Sequence, residues 1–516
     1  MVWGKDVEEL NYRRALAKQM GGQKNIAKHK KKGKYTVRER IDRLFDKDSF
    51  NEIGTLVGRV EYDDDSKISS LVPAAHLIGH GKVNGRMMVI QGGDHTVRGN
   101  IQGHKRELAA KMSIEWKVPY IRLVEEPGGS VRGIEGHANP ARQIHMPPQS
   151  LTYTMPLMYQ VPVVSAALGA VAGYAAIWMA EAHFSIMTKV DCDIFVAGPP
   201  VTQRAFGITQ SKAEIGGYKI HAFKSGVVDN VAEDEDDVFR QIKHFMDYMP
   251  QNVWEQPKRL ATSDSPDRRD EELLSIIPKD KKKTYDIRKL ISHIVDRDSM
   301  FEMTPYFGRP FVTILARIDG YPVAIMSNDC MHYAGAQTPD AADKMAKFID
   351  MADTFHLPVI YLMDVPGFMV GVESESTGMI RRAARAQFAL DQATVPWVSV
   401  IIRRRFGVAG GLRGSKLRLN LTYAWPSAVL SAMPLEGGVM AAYKSQIEAA
   451  PDPNAERERI EQRLEKLNSP FRAGESMWYD EMIDPRETRP MLCEFVKQAY
   501  EVTKTQLGPK YRTLRP

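Results

Sequence analysis

Residues 161–176 read VPVVSAALGAVAGYAA, and residues 395–411 read VPWVSVIIRRRFGVAGG. Each stretch is a short apolar run that begins at Val-Pro and ends in a turn containing glycine. Gly173 follows Pro162 by 11 residues, and Gly407 follows Pro396 by 11. Runs of this length and composition predict buried strands. A strand that ends in a glycine turn can aim backbone N–H groups at a developing negative charge, so both turns are candidate active-site elements.

The sequence around these two stretches is also duplicated. YTVRERIDRLFDKDSFNE, which starts at Tyr35, matches YDIRKLISHIVDRDSMFE, which starts at Tyr285. Residues 81–94 and 316–329 both predict β-hairpins with Asn-Gly or Asp-Gly turns. In both halves a predicted helix and a buried strand follow, at 105–116 and 118–129 in the first half and at 341–355 and 357–368 in the second.

A repeat of about 240 residues with alternating β and α segments predicts two α/β layered domains. We place these domains at residues 1–260 and 285–516, joined by a polar, proline-containing linker at 261–284. The length of 516 residues agrees with this division, because single hydrophobic cores stop growing at about 250–300 residues. Residues 7–30 predict one amphipathic, charged helix ahead of the first domain.

The composition is that of an ordinary globular protein, with 43% apolar and 26% charged residues. No apolar run reaches the length of a membrane-spanning helix, and the start MVWGKDVEEL does not resemble a signal peptide. Cys192, Cys330 and Cys493 are far apart and form no CxxC pair. We therefore expect no metal site, no disulfide framework and a cytoplasmic location.

The net charge of +6 is mild for this length and fits a phosphate-bearing small molecule. The sharpest basic cluster is KNIAKHKKKGKYTVRER at residues 24–40. It could contact nucleic acid or the phosphates of a cofactor, but a solvated helix and turn is the favoured interpretation. No aromatic residues alternate with its lysines, as single-strand binding would require, so we predict no nucleic-acid partner.

No side-chain motif for nucleophilic, phosphate or zinc chemistry is present. Glu125, Glu126 and Asp364 follow predicted strands, where they could act as acids or bases, but capping of the next helix or turn is favoured. Gly128 and Gly129 come next, and glycine lets a backbone approach a ligand closely. The alternative role of a glycine turn is tight strand–helix packing. Duplication of the turns in matched positions favours function.

Six stretches, in this order, resemble the carboxyltransferase (β) subunit of biotin-dependent acyl-CoA carboxylases, such as those acting on propionyl-CoA, acetyl-CoA or methylcrotonyl-CoA. The resemblance extends along nearly the whole chain. The stretches are HKKKGKYTVRERIDRLFDKDSF (29–50), FVAGPPVTQRAFG (195–207), IGGYKIHAFKSGVVDNVAEDEDD (215–237), FIDMADTFHLPVIYLMDVPGFMVG (348–371), YAWPSAVLSAMPLEGGV (423–439) and MIDPRETR (482–489).

The resemblance implies two crotonase-like (ClpP/crotonase) α/β domains, an acyl-CoA substrate and biotin as the cofactor. Biotin would arrive on a biotin carboxylase or biotin carrier protein subunit, and the chain would form a homohexameric core within a hetero-oligomer. Backbone oxyanion holes would fall on Gly173 and Tyr174 in the first domain and on Gly407, Val408 and Ala409 in the second. The first hole would hold the thioester enolate, and the second would hold the carbonyl of biotin.

The chain departs from the family pattern at both turns. Tyr174 and Val408 stand where the family usually has glycine, which keeps each N–H but adds bulk. Gly411 stands where the family often has Asp or Ile, and its lack of a side chain would open the acyl pocket. The resemblance and these departures give four predicted substrate-binding residues, namely Gly128, Gly129, Gly411 and Arg404.

Two alternative functions remain open. One is the carboxyltransferase subunit of a biotin-dependent decarboxylase, which moves the carboxyl group from an acyl-CoA to biotin. The other is a paralogue that has lost turnover and serves as an assembly subunit, an alternative that the altered turns raise.

Overall fold

The computed structural model describes residues 2–97, 105–128, 153–415 and 417–512. The chain forms two compact units, Met1–Glu255 and Gln256–Pro516. Residues 261–284, expected to link the two domains, lie within the second unit. There, Leu273 is buried in the hydrophobic core, and Arg268 donates to the carbonyl of Val295 at 2.8 Å.

The first unit is built around one mixed sheet. Its described strands are β1 (Asn51–Ile53), β2 (Gly58–Tyr62), β3 (Ile68–Pro73), β4 (His76–Val83), β5 (Arg86–Gly93), β6 (Tyr120–Val124), β7 (Val163–Ala167), β8 (Ala170–Ala172), β9 (Phe184–Thr188), β10 (Asp193–Phe195) and β11 (Asn230–Ala232). The sheet has the order β1-β4-β5-β6-β7-β9-β11, with β2-β3 and β10-β8 as separate pairs. Strands β1, β4 and β5 pair antiparallel, and the pairs from β5 to β11 are parallel.

Helices connect and cover these strands. Those described in the first unit are α1 (Gly4–Ala17), α2 (Gln23–Lys30), α3 (Val37–Leu44), α4 (Lys105–Trp116), α5 (Thr154–Gln160), α6 (Tyr174–Ala180), α7 (Pro199–Phe206), α8 (Lys212–Gly216), α9 (Tyr218–His221) and α10 (Glu235–Tyr248). The buried face of the sheet packs on α4 and α5 through residues such as Ile78, Val89 and Leu157.

The single helix predicted over residues 7–30 is wrong, because the structure has two helices there, α1 and α2. The chain turns between them at Gly21 and Gly22. Gly22 has φ 81°, a left-handed conformation that favours glycine. A Cβ on Gly21 would lie 1.9 Å from the carbonyl oxygen of Thr96. Close backbone approach, which periodicity does not show, therefore ends the first helix.

The second unit repeats the sheet of the first. Its strands are β12 (Phe301–Met303), β13 (Phe311–Ile318), β14 (Tyr321–Asn328), β15 (Val359–Val365), β16 (Trp397–Phe406), β17 (Asn420–Ala424), β18 (Val429–Ser431) and β19 (Glu481–Met482). The order is β12-β13-β14-β15-β16-β17-β19, and β18 also pairs with β16. The first three strands are antiparallel and the others parallel, as in the first unit.

The described helices of the second unit lie mostly in its C-terminal half. They are α11 (Ile287–Ile294), α12 (Pro339–Thr354), α13 (Val372–Ser376), α14 (Met379–Gln392), α15 (Leu435–Ala442), α16 (Lys444–Glu448), α17 (Pro453–Leu467), α18 (Pro470–Glu475) and α19 (Thr488–Lys504). Short 3-10 turns occur at Glu271–Leu274, Tyr333–Gly335, Ala409–Gly411 and Pro485–Glu487. No helix in the described part of the chain is both long and apolar enough to cross a membrane.

The duplicated sequence motif performs the same task in both units. Asp46 accepts hydrogen bonds from the backbone N–H groups of hairpin residues 84–85, at 3.0 and 2.8 Å. Asp296 accepts them from residues 319–320, at 3.1 and 2.7 Å. Each aspartate lies just past the end of the first helix of its repeat. Each therefore ties that helix to the hairpin turn, which confirms the predicted hairpins and the predicted repeat.

Candidate active site

The first turn connects β7 and β8 to α6. Gly173 has φ 66° and ψ −135° and precedes the first residue of α6, Tyr174. A Cβ on Gly173 would have no atom within 4 Å, so there is space for a side chain. The backbone conformation, which L residues rarely adopt, is therefore what requires glycine at this position.

The turn presents two backbone donors. Among the described residues, the N–H groups of Gly173 and Tyr174 have no hydrogen-bond acceptor, whereas the preceding N–H, of Ala172, donates to the carbonyl of Glu126 at 2.9 Å. The first N–H groups of a helix have no partner within the helix. Gly128 packs against the same segment, since a Cβ there would lie 3.3 Å from Cβ of Ala172. The structure therefore brings Gly128 to the first turn.

Gly129, the other predicted substrate-binding glycine of the first domain, lies outside the described residues.

The side chain of Tyr174 lies along α6. Its ring makes an edge-to-face contact with Trp178, with the centroids 5.8 Å apart. Its hydroxyl lies 3.4 Å from Oε1 of Glu181. Burial, and then the carboxylate of Glu181, raise the pKa of Tyr174. The bulk that Tyr174 adds is thus packed beside residues four and seven positions further along the chain.

A buried ion-pair cluster supports the segment before the first turn. Glu125 accepts from Arg40 at 2.7 Å and from Lys34 at 3.1 Å. Arg40 also binds both carboxylate oxygens of Glu235 and reaches the carbonyl of Leu168 at 3.3 Å. Burial acts to raise the pKa of Glu125, but Arg40 and Lys34 outweigh it and hold that pKa below its usual value.

Gly169, between β7 and β8, lies directly on this cluster. A Cβ on Gly169 would be 2.3 Å from Oε1 of Glu125. The carboxylate therefore fills the space that a side chain would need, and the cluster fixes the course of the chain four residues before Gly173.

Glu126 forms a second internal ion pair. It contacts His76 at 2.6 Å and Arg106 at 3.2 Å. Burial acts to raise its pKa, but His76 and Arg106 hold it below its usual value. The favoured prediction that Glu125 and Glu126 cap the following helix or turn stays a prediction, because residues 129–152 lie outside the described residues. Both carboxylates are held by basic side chains that are distant in sequence.

The basic cluster at 24–40 is not simply a solvated helix and turn. Lys34 and Arg40 are 4% and 1% exposed, and both bind Glu125. Lys34 directly precedes the duplicated motif and Arg40 lies within it, but no sequence signal identified either as buried or Glu125 as their partner.

The second turn follows β16. Gly407 has φ 59°, and its N–H donates to the carbonyl of Ser431 at 3.1 Å. Among the described residues, the N–H groups of Val408 and Ala409 have no acceptor. The side chain of Val408 is 72% exposed, whereas Ala409 is 2% exposed. Gly407 therefore shapes the turn, and Val408 and Ala409 supply its available donors.

Asp364, at the end of β15, lies beside β16. Arg403 and Arg404 bind its carboxylate at 2.8 and 2.7 Å, and the hydroxyl of Tyr285 donates to it at 2.9 Å. The N–H of Arg404 also donates to it at 3.2 Å. Burial acts to raise the pKa of Asp364, but the two arginines hold it below its usual value. The favoured capping prediction for Asp364 is wrong, because the carboxylate is the centre of an ion-pair cluster.

Arg404, predicted to bind substrate, is instead a member of this internal ion-pair cluster. Besides Asp364, its guanidinium donates to the carbonyl of Ala334 at 2.7 Å. Gly411 differs, since a Cβ there would have no atom within 4 Å. There is therefore open space beside the second turn at Gly411.

Fold and turns together define a class of protein. Each unit has the same sheet order, a strand-end carboxylate held by basic side chains, and a glycine turn with two available N–H groups. The chain belongs to the carboxyl transferase domain family, whose model matches residues 28–514.

Relatives and a solved structure agree with this assignment. The chain is 31% identical over 512 residues to the carboxyltransferase subunit of propionyl-CoA carboxylase from Haloferax mediterranei, with 98% of each chain covered. It is 30% identical over 494 residues to methylmalonyl-CoA decarboxylase subunit alpha from Veillonella parvula, with 94% of each covered. The crystal structure of transcarboxylase 12S, described as a hexamer assembly with methylmalonyl-coenzyme A and methylmalonic acid bound, has a TM-score of 0.85 at 28% identity. That match covers 99% of this chain and 96% of the other.

These findings confirm the predicted family, the two crotonase-like domains and the enzyme class. The protein is a carboxyltransferase of the acyl-CoA carboxylase β-subunit type.

Proposed function

We propose that this protein is the carboxyltransferase subunit of a biotin-dependent acyl-CoA carboxylase, acting at the α or vinylogous carbon of an acyl-CoA. One observation carries the proposal. In each unit a strand ends in a glycine turn that has two N–H groups without an acceptor among the described residues, those of Gly173 and Tyr174 in the first turn and those of Val408 and Ala409 in the second.

The first turn stabilises the acyl enolate. Removal of the α-proton places negative charge on the thioester oxygen, and the N–H groups of Gly173 and Tyr174 donate to that oxygen. Donors that are already oriented need no rearrangement as charge develops, and each is worth about 10²–10³ in kcat. The left-handed conformation of Gly173 and the Glu125 cluster hold this turn in place.

The second turn fits the ureido group of biotin. When bound, biotin supplies the carboxyl group to be transferred. To bind at this turn, the carbonyl oxygen of the ureido group needs N–H donors that point to one position and open space through which to approach them. The N–H groups of Val408 and Ala409 supply the donors, and the open space at Gly411 supplies room. Asp364 and its two arginines fix the strand that leads into the turn.

These roles assign the acyl-CoA side to residues 1–260 and the biotin side to residues 285–516. A biotin carboxylase or biotin carrier protein subunit brings the cofactor, and the chain forms a homohexameric core in the cytoplasm. Sedimentation of the purified chain measures the assembly directly: a hexamer is expected, and a monomer would contradict this part of the proposal.

The second candidate is the carboxyltransferase subunit of a decarboxylase. The relative from Veillonella parvula, at 30% identity, favours it, since the same two turns would serve transfer from acyl-CoA to biotin. The assay uses the purified chain, a biotinylated carrier and a panel of acyl-CoA and malonyl-type CoA thioesters. Transfer to the carrier and back is expected. An assembly subunit would bind its partner and transfer nothing.

A further inference from the structure

Two arginines beside the second turn have neutral hydrogen-bond acceptors in the described part of the chain. Among the described residues, neither Arg405 nor Arg413 forms an ion pair, and both are only partly exposed. Arg405 donates to the carbonyls of Gly410 and Trp478, at 3.0 and 3.2 Å. Arg413 donates to the hydroxyl of Thr422 at 3.0 Å. These acceptors are neutral, so no carboxylate among the described residues binds either guanidinium directly.

The two guanidinium groups lie in one corner of the second unit. Arg405 donates to the carbonyl of Trp478, and Arg413 donates to the hydroxyl of Thr422. The N–H of Thr422 donates to the carboxylate of Asp480, and the carbonyl of Thr422 accepts from the N–H of Asp480. Burial, and then the charge of Arg413, lower the pKa of Arg405 to about 10. The two cations therefore repel each other across partly buried space. Burial lowers the pKa of Arg413 and the charge of Asp480 acts to raise it, but the two side chains form no ion pair.

The two neighbouring arginines differ from Arg405 and Arg413, because each of them is paired with a carboxylate. Arg403 and Arg404, the two residues before Arg405, both bind the buried carboxylate of Asp364. A partly buried cation without a counter-ion is costly, and two adjacent ones are more so. Like cations that face one another are what an anion-binding site needs.

The glycines of the second turn make room for this arrangement. A Cβ on Gly410 would lie 3.0 Å from Cγ of Arg405, so the stem of the arginine packs where a side chain would stand. A Cβ on Gly411 would have no atom within 4 Å. Gly410 thus allows the position of Arg405, and Gly411 leaves the approach to it open.

We propose that Arg405 and Arg413 form a carboxylate-binding subsite beside the second turn. The carboxylate has two possible sources: the carboxyl group being transferred, or a second acidic group at the far end of the acyl chain. This inference rests on the proposed function for the identity of the ligand, and on the two unpaired arginines for the site.

Binding of matched CoA thioesters to the full chain, measured by calorimetry, tests the proposal without requiring turnover. Propionyl-CoA and methylmalonyl-CoA differ by a carboxylate at the reacting carbon. Butyryl-CoA and glutaryl-CoA differ by one at the far end. The variants are Arg405→Gln and Arg413→Gln, with Arg405→Lys to keep the charge. Arg457→Gln, on the exposed side of α17, is the matched control for loss of a surface arginine.

We expect the acidic member of one pair to bind the wild type more tightly than its neutral partner. That preference should fall roughly 10- to 100-fold in each glutamine variant, the effect of losing a charged hydrogen-bond partner. Arg405→Lys should retain part of it, and Arg457→Gln all of it. The pair that responds identifies the source of the carboxylate.

Equal binding of acidic and neutral members to the wild type would overturn the subsite, and so would a preference that survives in both glutamine variants. Thermal unfolding separates a structural role. Because the two arginines repel each other, each glutamine variant should be no less stable than the wild type. If carboxyl transfer fails while the binding preference holds, the proposed function falls and the subsite stands.

Discussion

Replacing Tyr174 by proline isolates the backbone donor of the first turn. Tyr174 is the first residue of α6, and among the described residues its N–H has no acceptor. Proline is well tolerated at this helix position because the missing N–H is unpaired there. The preceding residue is Gly173, whose lack of a Cβ reduces the clash that proline normally causes. Tyr174→Pro therefore removes a donor without removing a helical hydrogen bond.

Tyr174→Ala is the matched control, because both variants lose the ring. The contact with Trp178 and the hydrogen bond to Glu181 are lost in each, at a cost of about 0.5–1.5 kcal/mol for the aromatic pair. The two variants should therefore unfold at similar temperatures. They differ at one N–H, and loss of one oxyanion donor costs about 2.7–4 kcal/mol of transition-state stabilisation, or 10²–10³ in kcat.

The assay is carboxyl transfer between a biotinylated carrier and the best acyl-CoA of the panel, at saturating thioester. Tyr174→Pro should be 10²–10³ slower than Tyr174→Ala, with circular dichroism showing both folded. Equal rates in the two variants would refute the assignment of the Tyr174 N–H to the enolate.

Three further predictions concern the second turn and the buried carboxylates. Val408→Pro should slow transfer by the same 10²–10³ relative to Val408→Ala. Equal rates in the two variants would contradict the assignment of the Val408 N–H to the active site. Asp364→Asn leaves the buried guanidinium of Arg403 and the partly buried one of Arg404 without a counter-ion, so it should lower the free energy of unfolding by about 3–5 kcal/mol in urea titrations, and a loss under 1 kcal/mol would contradict the cluster. The folded-state pKa values of Glu125 and Asp364 are lowered. Their stabilisation is therefore present above the unfolded carboxyl pKa of about 4 and is lost as the pH falls below it. Circular dichroism across pH 2–7 should show stability falling in that acid range, with a shallower fall in Asp364→Asn.

The duplication was predictable because short sequence motifs recur in both halves of the chain and their residues make local hydrogen bonds. Asp46 and Asp296 recur in matched motifs, and in the structure each binds the backbone of its hairpin turn. The apolar strands before Gly173 and Gly407 have a length and composition that identify buried β-structure. Paired strands with the same turn signals therefore predicted two α/β domains of the same kind.

What the sequence did not show was which polar groups meet. Arg404 stands beside the second turn and was predicted to bind substrate, but Asp364, from another strand, neutralises it. Lys34 and Arg40 look like part of a solvated basic run until the fold brings Glu125 to them. Long-range pairing depends on strand register, and a single sequence carries no direct signal for it. The hydrogen bond from Gly407 to Ser431 was missed for the same reason.

The most direct test of the account is transfer of a labelled carboxyl group. The purified wild-type chain is mixed with a biotinylated carrier and methylmalonyl-CoA or another malonyl-type thioester carrying label in the free carboxyl group. We predict that label appears on the carrier and returns to an added acyl-CoA, and that Tyr174→Pro and Val408→Pro each slow both steps by about 10²–10³. Absence of label on the carrier with every thioester, although thioester and carrier both bind, would contradict the claim that the two turns catalyse carboxyl transfer.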